Sequence, residues 1–400
     1  MMRNAWKTPD CDRPGNASLL SGPLRTSRWW PCWLAASGLL AWAVPVFAAD
    51  PVVRLNQIQV IGTHNSYHLE PVAAVRALIA ASGERQAQAL EYTHRPLAEQ
   101  FTDLGIRQIE LDLFADPEGG RYAQPAGATI VQNLGQDPGL PLDPDQRLAK
   151  PGLKVLHVPD IDYRTTVLTF VDALQQIRDW SRSHPWHVPI LVLLELKEQA
   201  TPALPTKPLP FDRDQLEALE REILSVFPRH HILTPDDVRG DHGSLPQAIQ
   251  TRGWPPLDQV RGRVVFALDN EDQVRDRYLE GHPALRGRLL FASVPETDPA
   301  AAWFKVNDPV RHDDRIRSLV EQGYLVRTRA DAETREARTN DPRRRERALA
   351  SGAQFVSTDY PVPDPRLSSY CVRLPGQIVA RANPISGRDL PQNVELETKP

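Results

Sequence analysis

The run Ile106-Arg107-Gln108-Ile109-Glu110-Leu111-Asp112-Leu113 places the first strong constraint on this 400-residue chain. In a strand, side chains alternate between faces, so Ile109, Leu111 and Leu113 share one side while Gln108, Glu110 and Asp112 share the other. The apolar side suits a layer of surrounding helices. The other side then directs two carboxylates into an enclosed mouth, where they repel and are costly to bury unless a cation or a proton compensates them. A solvated edge strand would also alternate, but the neighbouring runs read as buried strands. A divalent cation is the sharper explanation.

Working outward, similar short apolar runs recur: Ile58 to Gly62, Leu153 to His157, Ile190 to Lys197, Val264 to Leu268, Leu289 to Phe291, Tyr324 to Arg329 and Gln354 to Thr358. Helical patterns separate most of them: Val72 to Ala81, Pro96 to Leu104, Val167 to Ser183, Asp212 to Val226, Val310 to Glu321 and Ala332 to Ala350. Strands alternating with helices imply parallel pairing, and about eight such units predict a single-domain α/β protein, a distorted (β/α)8 TIM barrel. No glycine-rich phosphate loop follows the first strand, which counts against a doubly wound open sheet. The Gly- and Pro-rich stretch Asp116 to Lys150 follows the second strand, where a barrel carries its functional loops.

The ends of the chain read differently. Arg25 and Arg28 precede an apolar run from Trp29 to Phe47 that closes in Val46-Phe47-Ala48-Ala49, small residues suited to signal peptidase. Residues 1–48 are therefore expected to be an export signal, residues 49–374 the barrel, and the polar, aperiodic residues 375–400 a mobile tail with no fold of its own. Export leaves Cys371 as the one cysteine of the mature chain, so neither an intramolecular disulfide nor a cysteine zinc cluster is expected. A net charge of -4 gives no electrostatic support for a nucleic-acid partner. The 38 prolines favour many loops over a helical bundle.

Four consecutive predicted strands bring chemistry to one rim. The first closes in Thr63-His64-Asn65-Ser66-Tyr67, the second carries Glu110 and Asp112, the third ends in His157, and the fourth carries Glu195 and Lys197 on one face. Singly, each has an ordinary explanation as a turn, a solvated loop or a surface charge. Together they suit phosphodiester cleavage. Asn65, Glu110, Asp112 and Glu195 are hard oxygen ligands for calcium or magnesium rather than zinc. Two imidazoles, His64 and His157, can divide the proton transfers, and Lys197 can stabilise charge on the phosphorane. Arg327 and Arg329 share a face of the seventh predicted strand, where they could grip phosphate or pair as surface charges. Asp359, in Ser357-Thr358-Asp359-Tyr360-Pro361, fits a metal ligand, an orienter of a histidine or a turn residue.

With these segments the chain resembles the phosphatidylinositol-specific phospholipase C family, most closely its bacterial calcium-dependent secreted branch. The matching runs are Thr63 to Tyr67, Gly105 to Asp112, Val155 to Tyr163, Glu195-Leu196-Lys197, Val326 to Asp331 and Phe355 to Tyr360. The resemblance implies a calcium cofactor on Asn65, Glu110, Asp112 and Glu195, with magnesium as the alternative. It implies that His64 acts on the inositol 2-hydroxyl and that His157 protonates the leaving diacylglycerol oxygen. Lys197, Arg327, Arg329 and Tyr360 are then assigned to the substrate. The expected products are a cyclic inositol phosphate and diacylglycerol. The partners implied are a phospholipid or phosphodiester substrate and transient membrane-surface contact, with the protein acting as a monomer. A glycerophosphodiester phosphodiesterase is the alternative, although that family usually carries His-Arg-Gly where this chain has His64-Asn65-Ser66. A non-catalytic binding barrel has no need of two imidazoles beside a cation site.

Overall fold

The computed structural model describes residues 52–398. The proposed export signal at 1–48 lies outside them. Ten strands follow in chain order: β1 (Ile58–Thr63), β2 (Gln108–Phe114), β3 (Lys154–Val155), β4 (Ile190–Leu196), β5 (Val264–Leu268), β6 (Leu290–Ala292), β7 (Trp303–Lys305), β8 (Leu325–Arg329), β9 (Phe355–Thr358) and β10 (Ala380–Ala382). Eight of them pair in parallel in the order β6-β5-β4-β2-β1-β9-β8-β7. A parallel bridge between Ser293 and Trp303 brings the two ends of this order together, giving a nearly closed (β/α)8 barrel.

Helices cover the outside for the reason their spacing gives. Phe170–Ser183 buries Phe170, Ala173, Leu174, Ile177 and Trp180, a three-to-four-residue stripe, and starts where the Thr169 hydroxyl accepts from Asp172 N. Arg213–Val226 repeats the pattern with Leu216, Leu219, Ile223 and Val226 behind an Asp212 cap. The inner face mixes apolar residues such as Leu191 and Leu193 with polar ones that gather towards the mouth. Glu110 on β2 meets Arg327 on β8, although β1 and β9 stand between those strands in the sheet. Their side chains can only meet across the lumen.

The seam between β1 and β2 rests on a single pairing of Gly62 with Gln108. A Cβ at Gly62 would lie 1.9 Å from the Gln108 amide oxygen, so this close passage requires glycine. Below it, β10 pairs antiparallel with Ile58, Gln59 and Val60. Residues 375–398 are thus not a tail without fold. Glu397 pairs with buried Arg107 and accepts from Val188 N at 2.9 Å, and Glu395 accepts from Val379 and Ala380. These anchors are isolated polar contacts around a three-residue strand, which leave no periodicity to read.

Two further expectations change. The run Leu153–His157 is not a barrel strand: β3 is two residues long and antiparallel to the end of β2. Its place in the barrel is taken by β7, a three-residue strand too short to register as a run. The helix expected over Ala332 to Ala350 is two helices, Arg335–Thr339 and Arg343–Ala350, divided where Asn340 turns left-handed (φ 51°) before Pro342. Among the described residues no helix is long and apolar enough to cross a membrane.

Candidate active site

All the chemistry gathers at the C-terminal ends of the parallel strands, where parallel barrels build their sites. His64 follows β1. Its Nδ1 lies 2.8 Å from Asp359 Oδ1, just past β9, and its Nε2 lies 3.2 Å from Arg329 Nη1 on β8. Arg329 also donates to Asp359 Oδ2 at 3.0 Å, closing a three-membered ring of contacts. A carboxylate only accepts and a guanidinium only donates, so the imidazole is neutral, with its proton on Nδ1 and its lone pair on Nε2. Burial, then the Arg329 charge, lowers the His64 pKa to about 3 even though 19% of its side chain is exposed. Asp359 is raised by burial, but His64 and Arg329 outweigh this and hold it well below the ordinary carboxylate range. Of the three roles open to Asp359 from sequence, these contacts fit that of an orienter.

His157 forms the second histidine–carboxylate pair. It reaches the rim on the loop that follows β3 and is turned back by the bridge between Val158 and Asp162. Its Nδ1 lies 2.6 Å from Asp162 Oδ2. Asp162 is fully buried and is shared with His68, whose Nε2 lies 3.0 Å from both carboxylate oxygens. The His68 ring stacks on Tyr92 at 4.2 Å, and His68 Nδ1 faces the Tyr92 carbonyl at 3.0 Å. Burial raises Asp162, yet the two histidines depress it overall far below the usual range. The His157 side chain keeps 24% exposure, which leaves its far nitrogen open to the mouth.

The acidic residues form a third group, which Glu110 brings within 3.8 Å of His64 Nε2. Ligand atoms of Glu110, Asp112 and Glu195 lie within 4.8 Å of one another, and the register pairs Asp112 directly with Glu195 across β2 and β4. Neither Asp112 oxygen accepts a hydrogen bond, and its compensation is Lys197 Nζ at 3.2 Å. Asn65, held left-handed (φ 43°), donates its amide to Tyr92 Oη and leaves Oδ1 buried without a partner. Burial, opposed by Arg327, pushes Glu110 up to about 8, and burial, opposed by Lys197, pushes Asp112 up to about 7. Buried carboxylates forced towards neutrality beside unpartnered oxygen acceptors fit a hard divalent cation, and these four residues are the ones that would hold it.

Of the residues named from sequence, His64, Asn65, Glu110, Asp112, Glu195, Lys197, Arg327 and Arg329 come together on the rim, and His157 joins them from its loop. Arg327 and Arg329 share a strand face but have different duties: Arg327 is fully buried on Glu110 and Asn307, while Arg329 clamps the His64 pair. Tyr360 does not join the group. Its phenol donates to the Glu91 carbonyl and its ring is buried beside Tyr370. Sequence reasoning passed over Asp162, His68, Tyr92 and His94, the last donating to the His64 carbonyl at 2.8 Å. It also missed Asp269 and Lys305, a buried pair 2.6 Å apart on the ends of β5 and β7. Asp162 stands five residues after His157, the one local signal available; the His68 contact spans 94 residues and has none.

The fold and site define a class: a parallel β/α barrel with two histidine–aspartate pairs and a group of buried carboxylates suited to a divalent cation. The family profile for calcium-dependent phosphoinositide phospholipase C matches residues 53–384, so the chain belongs to that family, and it is a phosphodiesterase of the phospholipase C kind. No curated protein sequence matches it. Among solved structures, a Ca2+-dependent phosphatidylinositol-specific phospholipase C from Streptomyces antibioticus is similar with a TM-score of 0.47 and 16% identity, over 77% of this chain and 95% of that one. A calcium-dependent phosphoinositol-specific phospholipase C from a Gram-negative Pseudomonas gives 0.48 and 13%, over 83% and 97%. A glycerophosphoryl diester phosphodiesterase from Parabacteroides distasonis gives 0.29 and 13%, over 78% and 85%.

Proposed function

We propose that this chain cleaves inositol phospholipids by intramolecular attack, releasing a cyclic inositol phosphate and diacylglycerol. The observation that carries the reading is the pair of imidazoles, each with Nδ1 on a buried carboxylate, Asp359 for His64 and Asp162 for His157. Each aspartate fixes its imidazole's orientation and supports the cation that forms when the ring is protonated. His64 Nε2 takes the proton of the attacking hydroxyl as its oxygen bonds to phosphorus. The bond from phosphorus to the lipid oxygen then breaks, and that oxygen receives a proton from His157. Anionic phosphate draws the Arg329 guanidinium off Nε2, which frees the lone pair and raises its basicity.

The fit of Asn65, Glu110, Asp112 and Glu195 to a hard cation, together with the family's calcium dependence, supports calcium as the cofactor. Bound there, calcium would offset charge on the phosphoryl oxygen and acidify a coordinated hydroxyl. Arg327 keeps Glu110 directed into the lumen. We further propose export to the periplasm or beyond, on the strength of the Arg25–Ala49 run, and brief contact with the membrane surface during turnover.

Phosphorus NMR of purified protein with phosphatidylinositol tests the reading. A cyclic phosphate that forms with calcium and ceases with chelator is expected. A linear glycerol phosphate product would assign the chain to glycerophosphodiester hydrolysis, and no turnover of either lipid or headgroup esters would overturn the reading.

A further inference from the structure

We propose that Lys197 is a built-in stand-in for the divalent ion, an ammonium that holds the acidic ligands together until calcium displaces it. The inference rests on the calcium site argued above and concerns how that site is loaded.

Lys197 stands one residue past β4, and its backbone N–H donates to the Leu113 carbonyl at 2.8 Å, so its stem rises from the seam between β2 and β4. Its ammonium lies 3.1 Å from Glu195 Oε1 and 3.2 Å from Asp112 Oδ2. These are two of the three carboxylates that would ligate the ion. For Asp112 it is the sole compensation, since neither oxygen of that residue accepts a hydrogen bond. The third carboxylate, Glu110, is paired with Arg327. Glu110 is thus occupied by Arg327 and the other two carboxylates by Lys197, so an arriving divalent ion meets an ammonium on the oxygens it needs.

The two cations differ in their freedom to leave. Arg327 has 1% of its side chain exposed and is tied at its other end to Asn307 Oδ1, so it stays with Glu110. Lys197 has 24% of its side chain exposed, and among the described residues its ammonium touches nothing but the two carboxylates. Like-charge repulsion at a few ångströms drives the freer cation out. On its flexible stem it turns towards solvent, on the side from which a substrate phosphate arrives. Ion and substrate are thereby ordered: calcium enters, Lys197 is released, and the released charge faces the anionic headgroup.

Calcium titration calorimetry on purified wild type, Lys197→Met and Lys197→Gln tests this without reference to activity. Both neutral variants are expected to bind calcium on the order of tenfold or more tightly than wild type. Their ion-free forms should melt below wild type and show a larger calcium-induced rise in Tm. Lys197→Arg, which keeps the charge, should stay within a few-fold of wild type. In wild type, amine-reactive labelling of Lys197, followed by peptide mass spectrometry, should quicken when calcium is added. Unchanged or weaker calcium binding in the neutral variants would overturn the proposal and leave Lys197 as an orienter of its two carboxylates. Labelling that calcium leaves unchanged would overturn the release. Absence of calcium binding by wild type would overturn the calcium site itself, and this proposal with it.

Discussion

Asp162→Asn is the substitution whose effects the geometry specifies most fully. The carboxylate is buried and accepts from His157 at 2.6 Å and from His68 at 3.0 Å, so two imidazoles share one negative charge. Charge-assisted bonds of this kind are worth about 1.5–3 kcal/mol each, and breaking a buried pair costs about 3–5 kcal/mol. Asparagine keeps one oxygen acceptor, which places the loss near the lower end, at about 3 kcal/mol, or roughly 4 °C in Tm for a chain of this length. The effect has a pH signature. Asp162 is held far below its ordinary 3.8, so its contribution is present above that value and is lost as pH falls below it. The stability gap between wild type and variant should therefore close in acid. Catalytically, His157 loses the charge that supports its protonated form, so kcat should fall by about 10²–10³ with KM little changed. Differential scanning calorimetry from pH 3 to pH 8 and steady-state kinetics on phosphatidylinositol vesicles read both effects. A variant with wild-type kcat, or a Tm gap that does not narrow in acid, would refute the bridging role of Asp162.

Two further outcomes follow from the same electrostatics. Without calcium, Glu110 near 8 and Asp112 near 7 hold protons that the unfolded chain releases near 4.5 and 3.8. The folded form then binds more protons through that window, so ion-free Tm should fall as pH rises from about 4 to 8, at up to about 1.4 kcal/mol per pH unit for each carboxyl. Saturating calcium should remove this slope, and an ion-free Tm that climbs over the same range would contradict it. Arg329→Met removes the cation that, after burial, does most to hold the His64 pKa near 3. The acidic limb of kcat/KM should move to higher pH, so that activity at pH 5 falls more than activity at pH 8; an unmoved limb would exclude Arg329 from tuning His64.

Much of this arrangement is legible in the sequence because the polar residues of the barrel's mouth stand inside apolar strands. Glu110, Asp112 and Glu195 interrupt apolar runs at alternating positions, and alternation alone aims them inward. His64 falls on the rim because it follows a true barrel strand. His157 was placed on the rim for a reason that does not hold: the run Leu153–His157 is apolar because β3 packs over the end of β2, not because it belongs to the barrel. The contacts that make the two histidines a matched pair join residues 295 and five positions apart, and no periodicity distinguishes Asp359 or Asp162 from turn residues. Tyr360 illustrates the converse. It sits next to Asp359 in sequence, yet the strand end that sends Asp359 to His64 turns the phenol towards Glu91. The C-terminal residues 380–382 pair antiparallel with β1 through the backbone, which leaves little mark on side-chain pattern.

The central claim, a division of labour between His64 as base and His157 as acid, is tested most directly by changing the leaving group. A lipid alkoxide must be protonated as it departs, whereas a nitrophenolate need not be. Turnover of inositol phosphodiesters bearing alkyl or nitrophenyl leaving groups should be measured for wild type, His64→Ala and His157→Ala at saturating calcium. His157→Ala is expected to lose about 10²–10⁴ on the alkyl ester and recover most of that loss on the aryl ester, while His64→Ala stays impaired on both. Equal loss on both esters for His157→Ala, or recovery by His64→Ala instead, would contradict the assignment.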